Sequence, residues 1–355
     1  MALPNVRDRE EARRALTAWL AGKLDGAGDV RLSELGGPAS NGFSNETLIF
    51  DASWTDHDAA HRRSFVVRVQ PTSHTVFPSD TLELQHRVMT QLGAHTDVPV
   101  PATRWFERDP AVLGAPFLVM DRTDGVAPSD NPPYTIEGWL TDAAPDLQQR
   151  LWRSGLDAMA AVHLVDWRAV GLEGTPVQGP AERLEWWADL LAWAAEDRPQ
   201  PVPEAAVAWL RANVPESDAP DALCWGDSRI GNQLFVDGNV TAILDWEMVH
   251  VGDPRHDLGW YIWLDRHFAE GIGVPRLPGF DSYEDTIARW EQRTGRRADA
   301  LQWFQVLSGL GFAAVMVRLC RLLVEFDMFP ADTDFEHTNP ACTLLATELE
   351  RLGAR

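Results

Sequence analysis

Residues 223–260, LCWGDSRIGNQLFVDGNVTAILDWEMVHVGDPRHDLGW, contain the most distinctive pattern of the chain. Asp227 and Asn232 fall on one short predicted loop, two apolar strands follow, and Asp245 comes at the end of the second strand. Because a hairpin returns the chain to its starting point, we expect Asp245 to lie beside Asn232. A carboxylate and an amide oxygen are hard ligands that suit Mg²⁺, and Asp227 is left to accept a proton from an attacking hydroxyl. The spacing therefore predicts a site for phosphoryl transfer.

The same segment resembles the aminoglycoside phosphotransferase family of kinase-like enzymes. More narrowly, it resembles the branch that includes the kinase-like domain of certain acyl-CoA dehydrogenases and many actinobacterial phosphotransferases. The family pattern is His-Gly-Asp, four residues, Asn, then Leu-Asp-Trp or Leu-Asp-Phe, and finally Gly-Asp-Pro and Asp-Leu. The chain carries all of it except the first residue, where Trp225 replaces the His that braces the catalytic loop in the family. The resemblance implies an enzyme that uses ATP and Mg²⁺.

The resemblance also implies a role for each residue of this segment. Asp227 is the catalytic base, or at least the group that orients the acceptor hydroxyl, and Arg229 neutralises the moving phosphoryl group. Asn232 and Asp245 are the implied Mg²⁺ ligands. The alternative for Arg229 is a loop arginine that pairs with a surface acid. Asp257 is expected to support the loop, because a carboxylate at the start of a helix suits exposed backbone N–H groups.

Length and composition predict a globular protein of two lobes. The 355 residues are enough for two separate cores, and 45% hydrophobic with 24% charged residues is an ordinary globular composition. The best membrane candidate, residues 307–317, is too short for a span and predicts a buried helix. Charges stand where a secretory signal has its apolar core, and the three cysteines lack metal-site spacing. We therefore expect a cytoplasmic protein with no membrane partner and with reduced, buried cysteines.

The charge of the chain argues against nucleic acid as a partner. The chain has 31 Lys and Arg residues against 53 Asp and Glu residues, a formal net charge of −22. Nucleic-acid binding needs a basic footprint, which this composition does not provide. An acidic protein could attract a cationic aminosugar, but an acidic surface that maintains solubility is the preferred explanation.

The first third of the chain predicts an antiparallel sheet with one inserted helix. A helical periodicity over residues 7–24 gives way to five short runs of β-branched or aromatic residues bounded by Gly, Pro or polar turns. Residues 81–92 predict a helix between the third and fourth strands. The predicted strands are residues 30–35, 47–52, 65–70, 102–107 and 116–120.

After residues 121–125, which we take as a hinge, the pattern changes to helices separated by Pro-rich loops. With the resemblance, this predicts an α+β, bilobal, protein-kinase-like fold with an antiparallel β-sheet N-lobe and a mainly helical C-lobe. Residues 1–120 are the expected nucleotide-binding lobe with its leading helix. Residues 126–355 are the expected helical lobe with the catalytic loop and the acceptor pocket. The predicted helices are residues 145–165, 181–196, 203–213, 254–267, 283–294, 299–326 and 340–352.

A loop rich in Gly, Ser and Asn joins the first two predicted strands. Such loops can turn backbone N–H groups toward phosphate oxygens, although the pattern alone is typical of a simple turn. The family places its phosphate-covering loop here, which implies contacts from Gly42, Ser44 and Asn45. Arg68 takes the strand position at which protein kinases use a Lys for the α- and β-phosphates, and a guanidinium can bind phosphate in bidentate fashion. Gln85 takes the position of the Glu that normally pairs with that cation.

Two alternatives remain for the partner of the strand cation. Gln85 accepts a hydrogen bond without a countercharge, whereas Glu83 is charged but lies two residues earlier. Residues two apart on a helix point in different directions, so Gln85 is preferred. The adenine is expected against Met120, with its edge bonded to the backbone around Asp121 and Thr123. Backbone recognition leaves both ATP and GTP open, and the family favours ATP.

The acceptor and the oligomeric state stay open at this point. The partner is a small molecule with a hydroxyl, either an aminoglycoside-like antibiotic or another hydroxylated metabolite, with a hydroxyacyl thioester or lipid-like alcohol as the alternative. Most tryptophans of the helical lobe are expected in the core, and any that face the cleft would favour a bulky, apolar acceptor. Asp265, Glu270 and Asp281 could instead form the acidic cluster that an aminoglycoside needs. The seven tryptophans considered are Trp186, Trp187, Trp193, Trp260, Trp263, Trp290 and Trp303. An inactive nucleotide-binding module is the alternative of another class, suggested by Trp225 and Gln85.

Overall fold

A computed structural model of the chain describes residues 7–37, 46–57, 59–72, 74–79, 81–216 and 221–354. The chain forms two compact units. The first falls within Met1–Thr90 and Pro101–Thr123, and the second within Gln91–Val100 and Asp124–Arg355. The second unit thus includes a short segment that precedes the last two strands of the first unit in the sequence, and no local sequence pattern marks this segment.

The first unit is built on a five-stranded antiparallel sheet. Its strands are β1 (Gly28–Leu32), β2 (Glu46–Asp56), β3 (Ala59–Val69), β4 (Thr103–Glu107) and β5 (Phe117–Asp121), in the order β1-β2-β3-β5-β4. Helix α1 (Arg9–Lys23) comes before the sheet, and helix α2 (Leu82–His95) separates β3 from β4. The predicted sheet with one inserted helix is confirmed.

Alternation along β3 explains the core of this unit. Phe65, Val67 and Val69 are fully buried while their neighbours along the strand are partly exposed, as a strand with one face on a core requires. Leu16 and Leu20 of α1 belong to the same apolar cluster. Strands β2 and β3 run for 11 residues each, well beyond the predicted segments. The sequence does not indicate the added residues, because they are largely exposed and carry no apolar alternation.

The second unit is mainly helical. Proline occupies the first turn of four of its helices, where its missing N–H would have no helical partner in any case. Every helix predicted from the sequence is present, and one short helix was not predicted. The helices are α3 (Pro145–His163), α4 (Pro180–Ala195), α5 (Pro201–Ala212), α6 (Arg255–His267), α7 (Tyr283–Thr294), α8 (Leu301–Glu325), α9 (Phe335–Thr338, not predicted) and α10 (Pro340–Arg351).

Helix α8 is the central helix of the second unit. By length and composition it is apolar enough to cross a membrane, but 78% of its most apolar stretch is buried inside the protein. Helices α4, α5, α6 and α10 pack against it. The apolar sequence of α8 is therefore explained by its place in the core, as predicted for residues 307–317.

Two small sheets hold the loops of the second unit. Strands β8 (Gln233–Val236) and β9 (Asn239–Ile243) form the predicted hairpin, and its turn at Asp237 and Gly238 has left-handed φ angles of 51° and 87°. Strands β6 (Val177–Gln178), β7 (Ala222–Cys224) and β10 (His250–Gly252) form the second sheet in the order β6-β10-β7. Strands of two or three residues are too short to show a periodicity, so the sequence does not indicate them.

The core position of α8 gives a test by denaturation. Leu310 is fully buried on this helix, so Leu310→Ala should lower the free energy of unfolding by about 2–5 kcal/mol through lost burial and a residual cavity. Gln302→Ala, at an exposed position of the same helix, is the control and should change it by no more than about 0.5 kcal/mol. Urea unfolding measures both. Equal losses for the two variants would contradict the central position of α8.

Candidate active site

The predicted catalytic loop joins β7 to β8. It runs through Gly226 and Asp227 to a single 3₁₀ turn, Ile230–Asn232, that leads directly into β8. Gly226 has a φ of 95°, and a Cβ there would collide with the backbone of Met248, so only glycine fits without strain. Glycine at position 226 therefore lets the loop approach the backbone of the segment after β9 more closely than a residue with a side chain could.

Asp257, in the first turn of α6, holds the backbone of this loop. One carboxylate oxygen accepts the N–H of Trp225 at 2.6 Å, and the other accepts the N–H of Gly226 at 2.9 Å. His163 Nδ1 accepts the indole N–H of Trp290 at 3.0 Å, so its Nε2 carries the proton and donates to Asp257 at 3.0 Å. Burial alone would raise the pKa of Asp257, but hydrogen bonds, led by that from His163, hold it below its ordinary value. Asp257 therefore stays charged and supports the loop.

Trp225 supports the loop through its side chain as well. This fully buried residue replaces the His of the family pattern, and its indole N–H donates to the carbonyl of Leu244 at 2.7 Å. The N–H of Leu244 donates in turn to the carbonyl of Asn232 at 2.8 Å. Both bonds tie the loop to the residue that precedes Asp245. The replacement of His by Trp thus leaves the loop with a specific hydrogen bond.

Asp245 lies where the hairpin is expected to place it. Gln233 and Ile243 are paired in the β8–β9 ladder, which brings the residues on either side of them, Asn232 and Leu244, into contact. Asp245 has a φ of 55°, a left-handed conformation that Asp adopts more readily than most residues. The structure therefore brings Asp245 to the same end of the hairpin as Asn232.

Three N–H groups bind the carboxylate of Asp227, which is 16% exposed. Asn232 Nδ2 donates to Oδ2 at 2.6 Å, Arg229 Nε donates to Oδ2 at 3.2 Å, and Trp260 Nε1 donates to Oδ1 at 2.8 Å. Burial raises the pKa of Asp227 and the negative charge of Asp245 adds to this, while the Arg229 charge and the N–H donors oppose it. The carboxylate is thus held in one orientation and made more basic than usual.

The contact of Trp260 with Asp227 is not among the predictions, because the sequence places Trp260 only in the acceptor pocket or the core. The available signal was its spacing on α6. Trp260 lies three residues after Asp257, and residues three apart share one face of a helix. The face of α6 that holds the loop backbone through Asp257 therefore also contacts Asp227.

Arg229 lies between two carboxylates. Besides Asp227 it contacts Asp130, and a Cβ on Gly231 would lie 2.6 Å from Arg229 Nη1 and 2.7 Å from Asp130 Oδ1, so glycine makes room for the pair. Burial favours the neutral form, but Asp130 and Asp227 together raise the pKa of Arg229 above its ordinary value. The position agrees both with a cation beside the catalytic aspartate and with a loop arginine that pairs with an acid.

Asn232 and Asp245 fit a cation that also binds phosphate. The amide nitrogen of Asn232 is used on Asp227, which leaves its oxygen for a metal. No group of three or more His, Cys, Asp and Glu side chains suited to hold a metal occurs among the described residues. Mg²⁺ does not need one, since it usually keeps several waters and binds through one or two carboxylates plus substrate phosphates.

The predicted phosphate contacts fall partly outside the described residues. Three of them, Gly42, Ser44 and Asn45, are not among the residues that the structure describes. Arg68 is on β3, where it is half-buried and stands opposite Leu118 of β5. The contact of these residues with phosphate stays a prediction.

The two candidates for the partner of Arg68 differ in their surroundings. Gln85 is buried on α2, and its amide N–H donates to Thr81 Oγ1 at 3.2 Å. Glu83 is exposed, and its carboxylate pairs with Arg108. Glu83 is therefore committed to another cation, and the pairing of Gln85 with Arg68 stays a prediction.

The predicted adenine contacts lie at the end of β5. Met120 is buried, and the N–H of Asp121 donates to the carbonyl of Ala102 at 2.9 Å, so this N–H is used within the sheet. Thr123 lies beyond the last paired residue of β5. Contacts of Met120, Asp121 and Thr123 with a nucleotide stay predictions.

The acidic residues considered for an aminoglycoside pocket are paired with arginines. Each carboxylate has a guanidinium partner within the second unit, so its charge is already compensated. The pairs are Asp265 with Arg276, Glu270 with Arg351 at 2.8 Å, and Asp281 with Arg153 at 2.6 Å.

Most tryptophans of the second unit belong to its core. Of the seven considered for the acceptor pocket, Trp186 and Trp193 are partly exposed. The five buried ones are Trp187, Trp260, Trp263, Trp290 and Trp303. Among the five buried ones, Trp260 contacts Asp227.

The sequence matches one protein family over most of its length. Residues 38–292 match the model of APH, the phosphotransferase enzyme family. The chain belongs to the APH phosphotransferase family, which confirms the resemblance seen in residues 223–260.

Individual relatives agree with this assignment. The chain is 28% identical over 282 residues to "Probable acyl-CoA dehydrogenase IBR3" of Arabidopsis thaliana, a match that covers 74% of this chain and 33% of that protein. The chain thus spans about a third of the length of this relative. A "putative aminoglycoside phosphotransferase" from Ralstonia eutropha JMP134 has a TM-score of 0.70 at 22% identity, with 95% of this chain and 98% of that chain covered.

A second solved structure is a thermostable mutant of aminoglycoside phosphotransferase APH(4)-Ia in a ternary complex with AMP-PNP and hygromycin B. Its TM-score is 0.56 at 16% identity, and 94% of this chain and 98% of that chain are covered. At such identities the likeness establishes the fold. The predicted α+β, protein-kinase-like fold is confirmed.

The role of Asp257 can be tested on stability. Asp257→Ala leaves two loop N–H groups and His163 without their buried acceptor, so the free energy of unfolding should fall by about 3–5 kcal/mol. Asp157→Ala is the control, because Asp157 pairs with Arg289 at 2.7 Å on a partly exposed surface. Its loss should stay within about 1 kcal/mol. Urea unfolding of both variants gives the comparison, and similar losses would contradict the supporting role of Asp257.

Proposed function

We propose that this chain is an ATP- and Mg²⁺-dependent phosphotransferase that moves the γ-phosphate of ATP to a hydroxyl of a small molecule. The observation that carries the proposal is the convergence of Asp227, Asn232 and Asp245 at one end of the β8–β9 hairpin. Membership of the phosphotransferase family supports it. So does a neighbour of similar fold whose structure contains AMP-PNP.

Asp227 is the proposed base. The acceptor oxygen forms its bond to the γ-phosphorus as the bond to the leaving ADP oxygen breaks, and the hydroxyl proton passes to the carboxylate of Asp227. The raised pKa of Asp227 suits this role, because a more basic carboxylate accepts a proton more readily. The N–H groups that bind both of its oxygens keep it oriented toward the acceptor.

Asn232 and Asp245 are the proposed metal ligands. Mg²⁺, when bound, would neutralise charge on the phosphate oxygens, and these two side chains would hold it through the free amide oxygen and the carboxylate. The hydrogen bond from Asn232 to Asp227 then couples the metal ligand to the base. A movement of Asn232 would therefore shift the carboxylate of Asp227 as well.

Arg229 is the proposed cation for the transferred phosphoryl group. Its charge is shared between Asp227 and Asp130 in this structure. A phosphoryl group that approaches Asp227 would compete with Asp130 for the guanidinium. We therefore expect Arg229 to exchange this ion pair for phosphate oxygens during transfer.

The first unit is proposed to bind the nucleotide. A sheet-borne guanidinium is suited to phosphate, and the end of β5 offers backbone groups for the adenine edge. The proposed residues are Gly42, Ser44, Asn45, Arg68 and Gln85 for the phosphate end and Met120, Asp121 and Thr123 for the adenine end.

The acceptor pocket favours an alcohol without many positive charges. The carboxylates that would attract an aminoglycoside are neutralised by arginines.

These observations favour the second candidate function, a kinase for a hydroxyacyl thioester or another lipid-like alcohol, over an aminoglycoside kinase. The name of the Arabidopsis relative, an acyl-CoA dehydrogenase, is in keeping with an acyl substrate. Hygromycin B in the APH(4)-Ia complex keeps the antibiotic class as the other acceptor to be tested. A cytoplasmic location is proposed with this function, in keeping with three buried free cysteines.

An inactive nucleotide-binding module is less well supported. Its motivation was Trp225 and Gln85, and Trp225 has a structural role that replaces the brace of the family His. The three residues that the chemistry needs are all present. An active enzyme is therefore the function that the site supports best.

The metal ligands can be tested by nucleotide titration. Asp245→Asn removes a carboxylate from Mg²⁺, so the affinity for AMP-PNP in the presence of Mg²⁺ should fall at least about tenfold, or about 1.4 kcal/mol. Asp237→Asn is a matched control, since both aspartates have left-handed φ angles, 55° and 51°, that Asn also tolerates. Calorimetric titration with and without EDTA measures the difference. Equal Mg²⁺-dependent affinities in wild type and Asp245→Asn would refute the assignment.

The reaction can be tested on a panel of acceptors. We expect phosphate transfer from ATP to a hydroxyacyl-CoA thioester or a long-chain alcohol to exceed transfer to hygromycin B or other aminoglycosides. Asp227→Asn should lower the turnover by a factor of about 10²–10⁴, because it removes the base. Product formation is measured by mass spectrometry. Nucleotide binding without transfer to any alcohol, unchanged by Asp227→Asn, would instead support the inactive module.

A further inference from the structure

The two oxygens of the Asp227 carboxylate have different partners. Oδ2 accepts N–H groups from Asn232 and Arg229, both of which belong to the same loop as Asp227. Oδ1 accepts the indole N–H of Trp260 at 2.8 Å, and Trp260 is the partner from outside the loop. Rotation about the terminal torsion of an aspartate is soft, so contacts to one oxygen alone would leave the carboxylate plane poorly fixed.

Trp260 is itself held firmly. The residue is 2% exposed, and its ring stacks on that of Trp187 with centroids 5.5 Å apart and planes 7° apart. Trp187 is fully buried on α4 and lies against Gly311 of α8, where a Cβ would come within 2.6 Å of the Trp187 ring. A continuous column of packed groups therefore runs from the central helix to the carboxylate of Asp227.

We propose that Trp260 is a positioning residue for Asp227: its indole N–H fixes the plane of the carboxylate so that the acceptor hydroxyl meets it in a reactive geometry. This inference rests on the proposed function, since it needs Asp227 to be the base. An indole suits the task because it only donates and carries no charge. It orients the carboxylate without competing for the proton and without adding a second cation beside Arg229.

Orientation of this kind has a measurable effect on rate. A displacement of a reacting group by about 1 Å can lower the rate by about 100-fold even when binding is unchanged. Loss of the Trp260 contact should therefore reduce kcat while the KM for ATP stays constant. Replacement of a residue with only a structural role would lower the stability of the protein without a selective loss of kcat.

The contact itself is tested by NMR of the indole N–H groups. The resonance of Trp260 is identified by its absence from the spectrum of Trp260→Phe. It should shift in Asp227→Asn, because the charged acceptor of its hydrogen bond is gone, whereas the resonance of Trp303, which donates to the Leu210 carbonyl at 3.0 Å, should not move. An unchanged Trp260 resonance would overturn the proposal.

The effect on catalysis is tested by a matched pair of glycine substitutions on α8. Gly311→Ala presses on Trp187, which stacks on Trp260, whereas Gly309→Ala presses on Trp263 at a comparable 2.6 Å. We expect Gly311→Ala to lower kcat about 10-fold to 100-fold for ADP formation from Mg-ATP with water as the acceptor, with an unchanged KM. Gly309→Ala should keep the kcat of the wild type. Thermal unfolding shows whether the two variants are equally destabilised.

Direct replacement completes the experiment. Trp260→Phe should show the same loss of kcat as Gly311→Ala. Trp303→Phe, which removes a buried indole that donates to the Leu210 carbonyl, should show none. Full activity of Trp260→Phe alongside an inactive Asp227→Asn would overturn this inference and leave the proposed function intact. Full activity of Asp227→Asn, or a wild type that forms no ADP, would count against both.

Discussion

The buried carboxylate of Asp257 is the contact on which the candidate active site depends. Its two oxygens accept the N–H groups of Trp225 and Gly226, and His163 adds a third hydrogen bond. Removal of this one acceptor would leave two backbone donors unsatisfied in the protein interior, which is costly wherever it occurs. Its hydrogen-bond donors keep Asp257 charged in spite of burial. Because Asp227 directly follows Gly226 in the chain, its position depends on this electrostatic constraint.

The other contacts of the site build on that fixed loop. The indole of Trp225 and the backbone of Leu244 join the loop to the end of β9, so the proposed base and the proposed metal ligands are held by the same set of contacts. Helix α6 contributes both Asp257 and Trp260 from one face, and it packs on the long apolar helix α8. The core of the second unit and the chemistry of the site are thus connected through a few buried side chains, which favours an enzyme that needs precise placement over a module that only binds.

Much of this arrangement could be predicted from the sequence, because strong local patterns specify it. The long helices, the five-stranded sheet and the turn at Asp237 follow from periodicity and turn chemistry, and the hairpin alone implies that Asp245 meets Asn232. The contact between Trp260 and Asp227 was not predicted, and Asp130 was not named as the acid that pairs with Arg229. These two contacts join residues 33 and 99 positions apart in the sequence and depend on how helices and loops pack, which no local pattern encodes. The identity of the acceptor stays open, because no local sequence pattern specifies an acceptor site.

Amide hydrogen exchange of the free protein tests the central claim most directly. If Asp257 holds the loop, the backbone N–H groups of Trp225 and Gly226 should exchange only through large-scale opening, with a free energy close to that of global unfolding. The N–H group of Asp237, an exposed residue of the β8–β9 turn, gives the reference for a loop without such support. Exchange of Trp225 and Gly226 as fast as that of this turn would contradict the account.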